Sequence, residues 1–130
     1  MQRVNSYNIN DNFIVKNNKL LFEYIIGNEP IGQCLIRLSK IEHKTGKLEY
    51  IEIYPKYRNK KKYGPYLIKY VINFLKSKNV KSLYGIVNPE DKSKLFNLLR
   101  WYHKHKFNIH YNKTDIFIKQ QLNTFDLSKF

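Results

Sequence analysis

Apolar and polar positions alternate with a period of two along the first half of the chain and switch to a helical period in the second. Leu20 to Ile26 and Ile31 to Leu38 read as two strands, joined by Gly27-Asn28-Glu29-Pro30, a hairpin signal with Gly and Pro at the turn. Phe13-Ile14-Val15 is a short strand candidate ahead of them, before an Asn17-Asn18 turn. Leu48 to Tyr54 is the next strand, entered from His43-Lys44-Thr45-Gly46. The period then changes: Leu67, Ile68, Val71, Ile72 and Leu75 fall on one side of a helix and Lys69, Asn73 and Lys76 on the other, so one stripe packs on a sheet. Leu83 to Val87 is again a strand. Asn88-Pro89-Glu90-Asp91 reads as a helix entry, in which Asn caps, Pro suits the first turn and the acids complement the helix dipole. Leu95, Leu98, Leu99 and Tyr102 mark the inward stripe of that second helix, and Asp115 to Lys119 is a last strand. The predicted order is β-β-β-β-α-β-α-β, an α+β sheet with two helices. No repeat, low-complexity tract or linker interrupts it, and residues 1–130 are expected to form one domain.

The junction of the fourth strand and first helix carries the chemistry: Ile53-Tyr54-Pro55-Lys56-Tyr57-Arg58-Asn59-Lys60-Lys61-Lys62-Tyr63-Gly64-Pro65-Tyr66-Leu67. A strand feeding a loop of backbone N–H groups and then a helix N-terminus offers oriented donors to an anion, and the lysines add mobile charge. The same run also fits a lysine-rich surface loop. Ile-x-Pro-x-Tyr-Arg followed by Gly and an amphipathic helix resembles the acetyl-CoA signature of the GNAT superfamily of N-acetyltransferases. Downstream, Trp101-Tyr102-His103-Lys104-His105-Lys106-Phe107 is similar to the family's Tyr-x-Lys-x-Gly-Phe ending. The resemblance spans residues 19 to 120. It departs from the family in three places: one extra residue lies between Arg58 and Gly64, a lysine stands at the first motif glycine, and Lys106 replaces the glycine before Phe107. Such a loop holds pyrophosphate more through side chains than backbone, or belongs to a non-catalytic relative.

The resemblance implies a GNAT-like mixed sheet, acetyl-CoA as co-substrate, and acetyl transfer to an amine by direct attack. It places Arg58, Asn59, Lys60, Lys61, Lys62, Tyr63, Gly64 and Pro65 at the cofactor's pyrophosphate. Backbone groups of Ile51, Ile53 and Tyr54 are placed along its pantetheine arm, with Asn88 either touching that arm or capping the second helix. Tyr102 matches the tyrosine that protonates the departing thiolate, although it is also in register with Leu95 and Leu99 as core. Glu49 and Glu52 are the candidate bases; strand alternation sends them to opposite faces, and the nine-residue offset before Arg58 favours Glu49. Each also fits a solvated carboxylate, and a water relay needs neither. Family members place two helices, some forty residues, between their first two strands. Here only Lys16-Asn17-Asn18 separates Val15 from Lys19, so those N-terminal helices are expected to be missing. The open acceptor side suits a protein or peptide better than a small amine, unless a second subunit covers it in a homodimer.

Charge widens the choice of partner. The net charge is +14, and residues 56–106 hold 14 of the 24 Lys and Arg against only Glu90 and Asp91. A cofactor hardly needs so much, so weak binding of nucleic acid is expected through this region, and a nucleic-acid-binding module or an acetyltransferase acting on an RNA-borne amine is the alternative reading. Tyr54, Tyr57, Tyr63 and Tyr66 interleave with the cations as base stacking requires, though a strand–helix junction would also bury them. Lysine, Asn, Ile and Tyr are also the residues of A/T-rich codons. No apolar run approaches the ~18 residues of a membrane span, and the first residues lack a signal peptide's apolar core, so a soluble cytoplasmic protein is expected. The one cysteine, Cys34, sits in an alternating strand and reads as a buried, inert thiol. His103 and His105, two apart on a helix, diverge by about 200° and are not expected to share a metal.

Overall fold

The computed structural model describes residues 2–7, 18–39, 44–88 and 92–122. Seven strands form one sheet: β1 (Gln2–Tyr7), β2 (Lys19–Ile26), β3 (Glu29–Leu38), β4 (Thr45–Ile53), β5 (Ser82–Val87), β6 (Asn108–Tyr111) and β7 (Ile116–Gln121). Their spatial order is β1-β2-β3-β4-β5-β7-β6. Helix α1 (Tyr63–Ser77) connects β4 to β5, and α2 (Leu95–Lys104) follows β5 after a short 3-10 turn. Every neighbouring pair is antiparallel except β4–β5, which the α1 crossover makes parallel. The predicted α+β class with two helices is what forms.

Two strands were not foreseen. β1 reads QRVNSY and β6 reads NIHY, with no apolar run in either. Each is an edge strand held by the ladder of one neighbour, and Val4 of β1 enters the core. The expected strand Phe13–Val15 lies outside the described residues, as do His43 and the Pro89-Glu90-Asp91 segment. With β1 at Gln2–Tyr7, the connection to β2 runs over residues 8–18 rather than Lys16–Asn18 alone.

Both helices pack on one face of the sheet. The α1 stripe places Leu67, Ile68, Val71 and Leu75 fully inside, against Phe22, Cys34, Ile36, Leu83 and Ile118. Rings from α1 lock it across β2: Phe74 meets Phe22 edge-on at 5.3 Å, and Tyr63 meets Tyr24 at 6.0 Å. Among the described residues no helix covers the other face, where Tyr50 and Ile86 are exposed. No helix among them is long and apolar enough to cross a membrane.

Both helices end in the same way. Val80 N–H donates to Leu75 O (3.0 Å) and Asn79 N–H to Lys76 O (3.1 Å); at the end of α2, Phe107 N–H donates to Tyr102 O (3.1 Å) and Lys106 N–H to His103 O (3.1 Å). These paired bonds are Schellman caps, which require a left-handed residue. Asn79 supplies it at φ 62° and Lys106 at φ 76°.

Candidate active site

The site begins with a split in the sheet. Strands β4 and β5 pair through Thr45↔Ser82, Gly46↔Leu83 and Lys47↔Tyr84, and then part. The cause lies in β4: Leu48 opposes Ile36 and Tyr50 opposes Leu35, which leaves Glu49 as an extra residue. Such a bulge bends and twists its strand. β5 meanwhile follows β7 over its whole length, so the two strands diverge.

The bulge also resets the alternation. Gly46 and Leu48 face the helices before it, and Ile51 and Ile53, opposite Cys34 and Gly32, face them after it. Glu49 and Glu52 consequently share the helix-free face, which corrects the opposite faces that strict alternation gives. Glu49 is held by Arg37 Nε at 3.1 Å and Lys47 Nζ at 3.9 Å. Glu52 accepts a hydrogen bond of 2.6 Å from Gln33 Nε2. Gln33 also lies opposite Glu23 in β2, so Glu23, Gln33 and Glu52 form a row across three strands.

Backbone groups along the split follow from the β3 pairing. Tyr54 N–H donates to Ile31 O at 2.8 Å, and Glu52 O lies 2.3 Å from where a Cβ on Gly32 would stand. Glu52 O and Tyr54 N–H are therefore turned to β3, and by alternation residues 51 and 53 turn their groups toward the split. The expected Tyr54 backbone contact is taken by β3 and by the turn that follows, where Tyr57 N–H donates to Tyr54 O at 2.8 Å. The Ile53 carbonyl is also engaged, accepting 2.7 Å from Arg58 Nε, which leaves Ile53 N–H and both Ile51 groups along the opening.

At the top of the split, a 3-10 turn over Pro55–Tyr57 leads into the exposed Arg58–Lys62 loop. Tyr57 hydroxyl donates to Glu29, and Lys56 Nζ stands 3.8 Å from the same carboxylate, fastening the turn to the β2–β3 hairpin. Tyr66 N–H donates to Lys62 O, the first bond of α1, so the N–H groups of Lys62, Tyr63 and Gly64 point out of the helix front. No acid stands in the first turn and no side chain caps it. A helix start normally attracts negative charge, and this one is met by Lys60, Lys61 and Lys62 instead. The arrangement leaves a concentrated positive end that an anion would neutralise. Asn59 is exposed beside it. The Tyr63 ring is core, packed on Tyr24 and Tyr57, so only its backbone faces the loop. Pro65 brings no N–H. Gly64 has a packing role that the sequence did not disclose, because a Cβ there would stand 3.3 Å from Trp101 Cζ2 on α2.

Tyr102 is buried on α2, its ring edge-on to Trp101 (5.2 Å) and Phe107 (5.5 Å). Burial, with a smaller contribution from Cys34, pushes its hydroxyl up to about 12. Cys34, near enough to act on that hydroxyl, lies opposite Ile51 of the split strand, on the helix side. The Cys34 thiol is fully buried and raised by that burial, so it is no nucleophile at neutral pH. Asn88 is exposed where β5 ends, on the far lip. It does not cap α2, whose first-turn boundary is Lys94 with no side-chain cap bond. Gly85, which sequence reading passed over, lies where the strands part: a Cβ on it would stand 3.4 Å from Leu48 O. A glycine inside a strand pattern is the signal that marks such close backbone approach.

No protein-family model matches the chain, and no curated protein matches it. Solved structures do. The ribosomal-protein-S18-alanine N-acetyltransferase from Escherichia coli superposes with a TM-score of 0.70 at 14% identity, over 98% of this chain and 97% of that one. An acetyltransferase of the GNAT family from Staphylococcus aureus gives 0.66 at 16% identity, over 82% and 70%. PaiA N-acetyltransferase from Thermoplasma acidophilum, in complex with coenzyme A, gives 0.65 at 16% identity, over 80% and 61%. Shared at these identities is the arrangement of strands and helices: the chain has the fold of the GNAT acetyltransferases.

Proposed function

We propose that the chain is an acetyl-CoA-dependent N-acetyltransferase whose acceptor is an amine on a protein or peptide. The observation that carries this reading is the β4–β5 split lying directly in front of a lysine-ringed helix start. A split strand pair offers backbone groups to an extended amide-containing arm, and the helix start offers N–H donors and cations to a pyrophosphate. The fit is consistent on both counts: Ile51 and Ile53 N–H line the opening, and no carboxylate of α1's first turn competes for the anion. Arg58, fixed by its bond to Ile53 O, stands between the two parts. Acetyl-CoA supplies an activated thioester carbon; the amine nitrogen bonds to that carbon, the carbon–sulfur bond breaks, and one proton leaves the amine while another reaches the sulfur.

On the helix side, Tyr102 keeps its proton at neutral pH and is the donor for the sulfur. On the helix-free face, Glu52 is the better base. Its partner is the neutral Gln33, whereas Glu49 is tied to two cations that hold its lone pairs. The row of Glu23 and Glu52 with Tyr50 and Tyr54 nearby gives a cationic amine a negative approach. A protein acceptor agrees with that open approach and with the activity of the E. coli neighbour, which the chain matches over nearly its full length.

Thermal melts with acetyl-CoA test the binding half. A ligand that binds only the native state stabilises it by about 2.7 kcal/mol at a hundredfold excess over Kd. Protection is expected for the wild type and strongly reduced in Arg58→Ala. Equal protection in both would misplace the site. Mass spectrometry of basic peptides incubated with enzyme and acetyl-CoA tests the transfer. Absence of acetylated peptide, together with salt-resistant binding of one RNA, would favour a nucleic-acid reader over the transferase.

A further inference from the structure

A second concentration of positive charge lies away from the split. The outer ridge of α1 carries Lys69 and Lys76, and the C-terminal end of α2 brings Lys104 and Lys106 across from them. Between them is a groove of about 310 Å³, floored by His105 and Gln120. That size sits at the lower end of the roughly 300–1,000 Å³ of small-ligand sites.

Two features set this groove apart from an ordinary lysine-rich surface. The first is buried. His105 is only 8% exposed, and its Nε2 has no hydrogen-bond partner among the described residues. A buried polar atom left without a partner costs about 1–3 kcal/mol, so the ring at the floor of the groove is held at a cost. The second is the charge balance. No carboxylate among the described residues pairs with Lys69, Lys76, Lys104 or Lys106; the ion pairs formed there belong to Arg37, Lys47 and Lys56. Four ammonium groups around one cavity repel one another until an anion joins them.

The end of α2 would ordinarily repel an anion through its carbonyls. Here those carbonyls are occupied: Tyr102 O and His103 O take the Schellman N–H groups, and His105 O accepts 2.8 Å from Gln120 Nε2. The same Gln120 bond fastens the end of α2 to β7, so the groove wall is fixed in place. The imidazole already registers the local field, since burial, Lys69 and Lys104 hold it below its usual value. The Trp101 ring packs against the imidazole at 4.5 Å, tilted by 57°, and adds no charge.

We propose that the groove between α1 and the C-terminal end of α2 is a second anion site, separate from the loop in front of α1, and that it takes a small phosphate-bearing ligand. Phosphate oxygens accept from several ammonium groups at once, and a diphosphate spans lysines of both helices. The site does not depend on the transferase reading, because none of its residues lines the split.

Inorganic pyrophosphate is the probe, and the ring resonances of His105, assigned by their loss in His105→Gln, are the readout. Titration at constant ionic strength is expected to move them saturably and to raise the pH at which the ring titrates. Lys69→Gln/Lys104→Gln, two exposed changes, is expected to weaken the response about tenfold or more, equivalent to about 1.4 kcal/mol. Lys60→Gln/Lys62→Gln at the front of α1 is expected to leave it intact. No saturable movement by about 10 mM pyrophosphate, where affinity would be negligible, means that the groove holds water alone. Equal weakening by both double variants would reduce the effect to general charge. Competition by acetyl-CoA for the same His105 response would make the groove an extension of the first site. Each of these three results overturns the proposal.

Discussion

Lys106 holds a left-handed backbone at the position where the Schellman cap of α2 asks for glycine. The left-handed conformation costs a side-chain-bearing residue about 1–2 kcal/mol, part of which glycine gives back through greater freedom when unfolded. Lys106→Gly is therefore expected to stabilise the protein by about 0.5–1 kcal/mol, read from urea unfolding. A loss of stability would show that Lys106's side chain contributes more than its backbone costs. Tyr102 bears on chemistry instead. Tyr102→Phe keeps the ring against Trp101 and Phe107 and removes only the hydroxyl, so acetyl-CoA affinity should hold while kcat falls by about 10²-fold, the scale of one acid or base. An unchanged kcat would make Tyr102 a core residue and nothing more.

At the scale of elements, α1 and α2 meet where Gly64 admits Trp101. Gly64→Val is expected to push the helices apart, lowering stability by about 1–3 kcal/mol in thermal melts and weakening acetyl-CoA protection along with it. Protection retained in a destabilised variant would separate the packing from the loop. The stripe of α1 was legible because Leu67, Ile68, Val71 and Leu75 repeat with the helix and all enter the core. β1 and β6 were not, since an edge strand needs a partner's hydrogen bonds and little apolar side chain. The loop and the helix start were legible from Pro55, Arg58 and Gly64, but the split was not. It arises from a bulge at Glu49, and a residue inserted without special composition leaves no mark on an alternating pattern. For the same reason counting by twos misassigned the faces of Glu49 and Glu52. The groove at His105 was hidden for another reason: Lys69 and Lys104 are 35 positions apart, and only the packing of α1 against α2 brings them together.

Across the whole molecule the helix side of the sheet carries the lysines of α1 and α2, while the bare side carries two cross-strand rows, one of cations (Lys19, Arg37, Lys47) and one with acids (Glu23 and Glu52 on either side of Gln33). Stability at high pH follows from two tyrosines. Tyr24, desolvated within the core, and Tyr102, buried on α2, are each pushed up to about 12 from the usual value of 10.0. An unfolded tyrosine ionises first, so the folded state binds more protons between these values, and stability present below about pH 10 is lost as pH rises through about 12. Melts at pH 8 and pH 11 should show the fall, and Tyr102→Phe should make it shallower; an identical slope in the variant would exclude that hydroxyl as a source. Cys34 is the chain's one sulfhydryl and is sealed beneath Ile51 and Tyr102. An alkylating reagent reaches it only when the layers separate, so the rate of its labelling is a clock for how often this sheet and its helices come apart, and a molecule wedged between β4 and β5 should slow that clock.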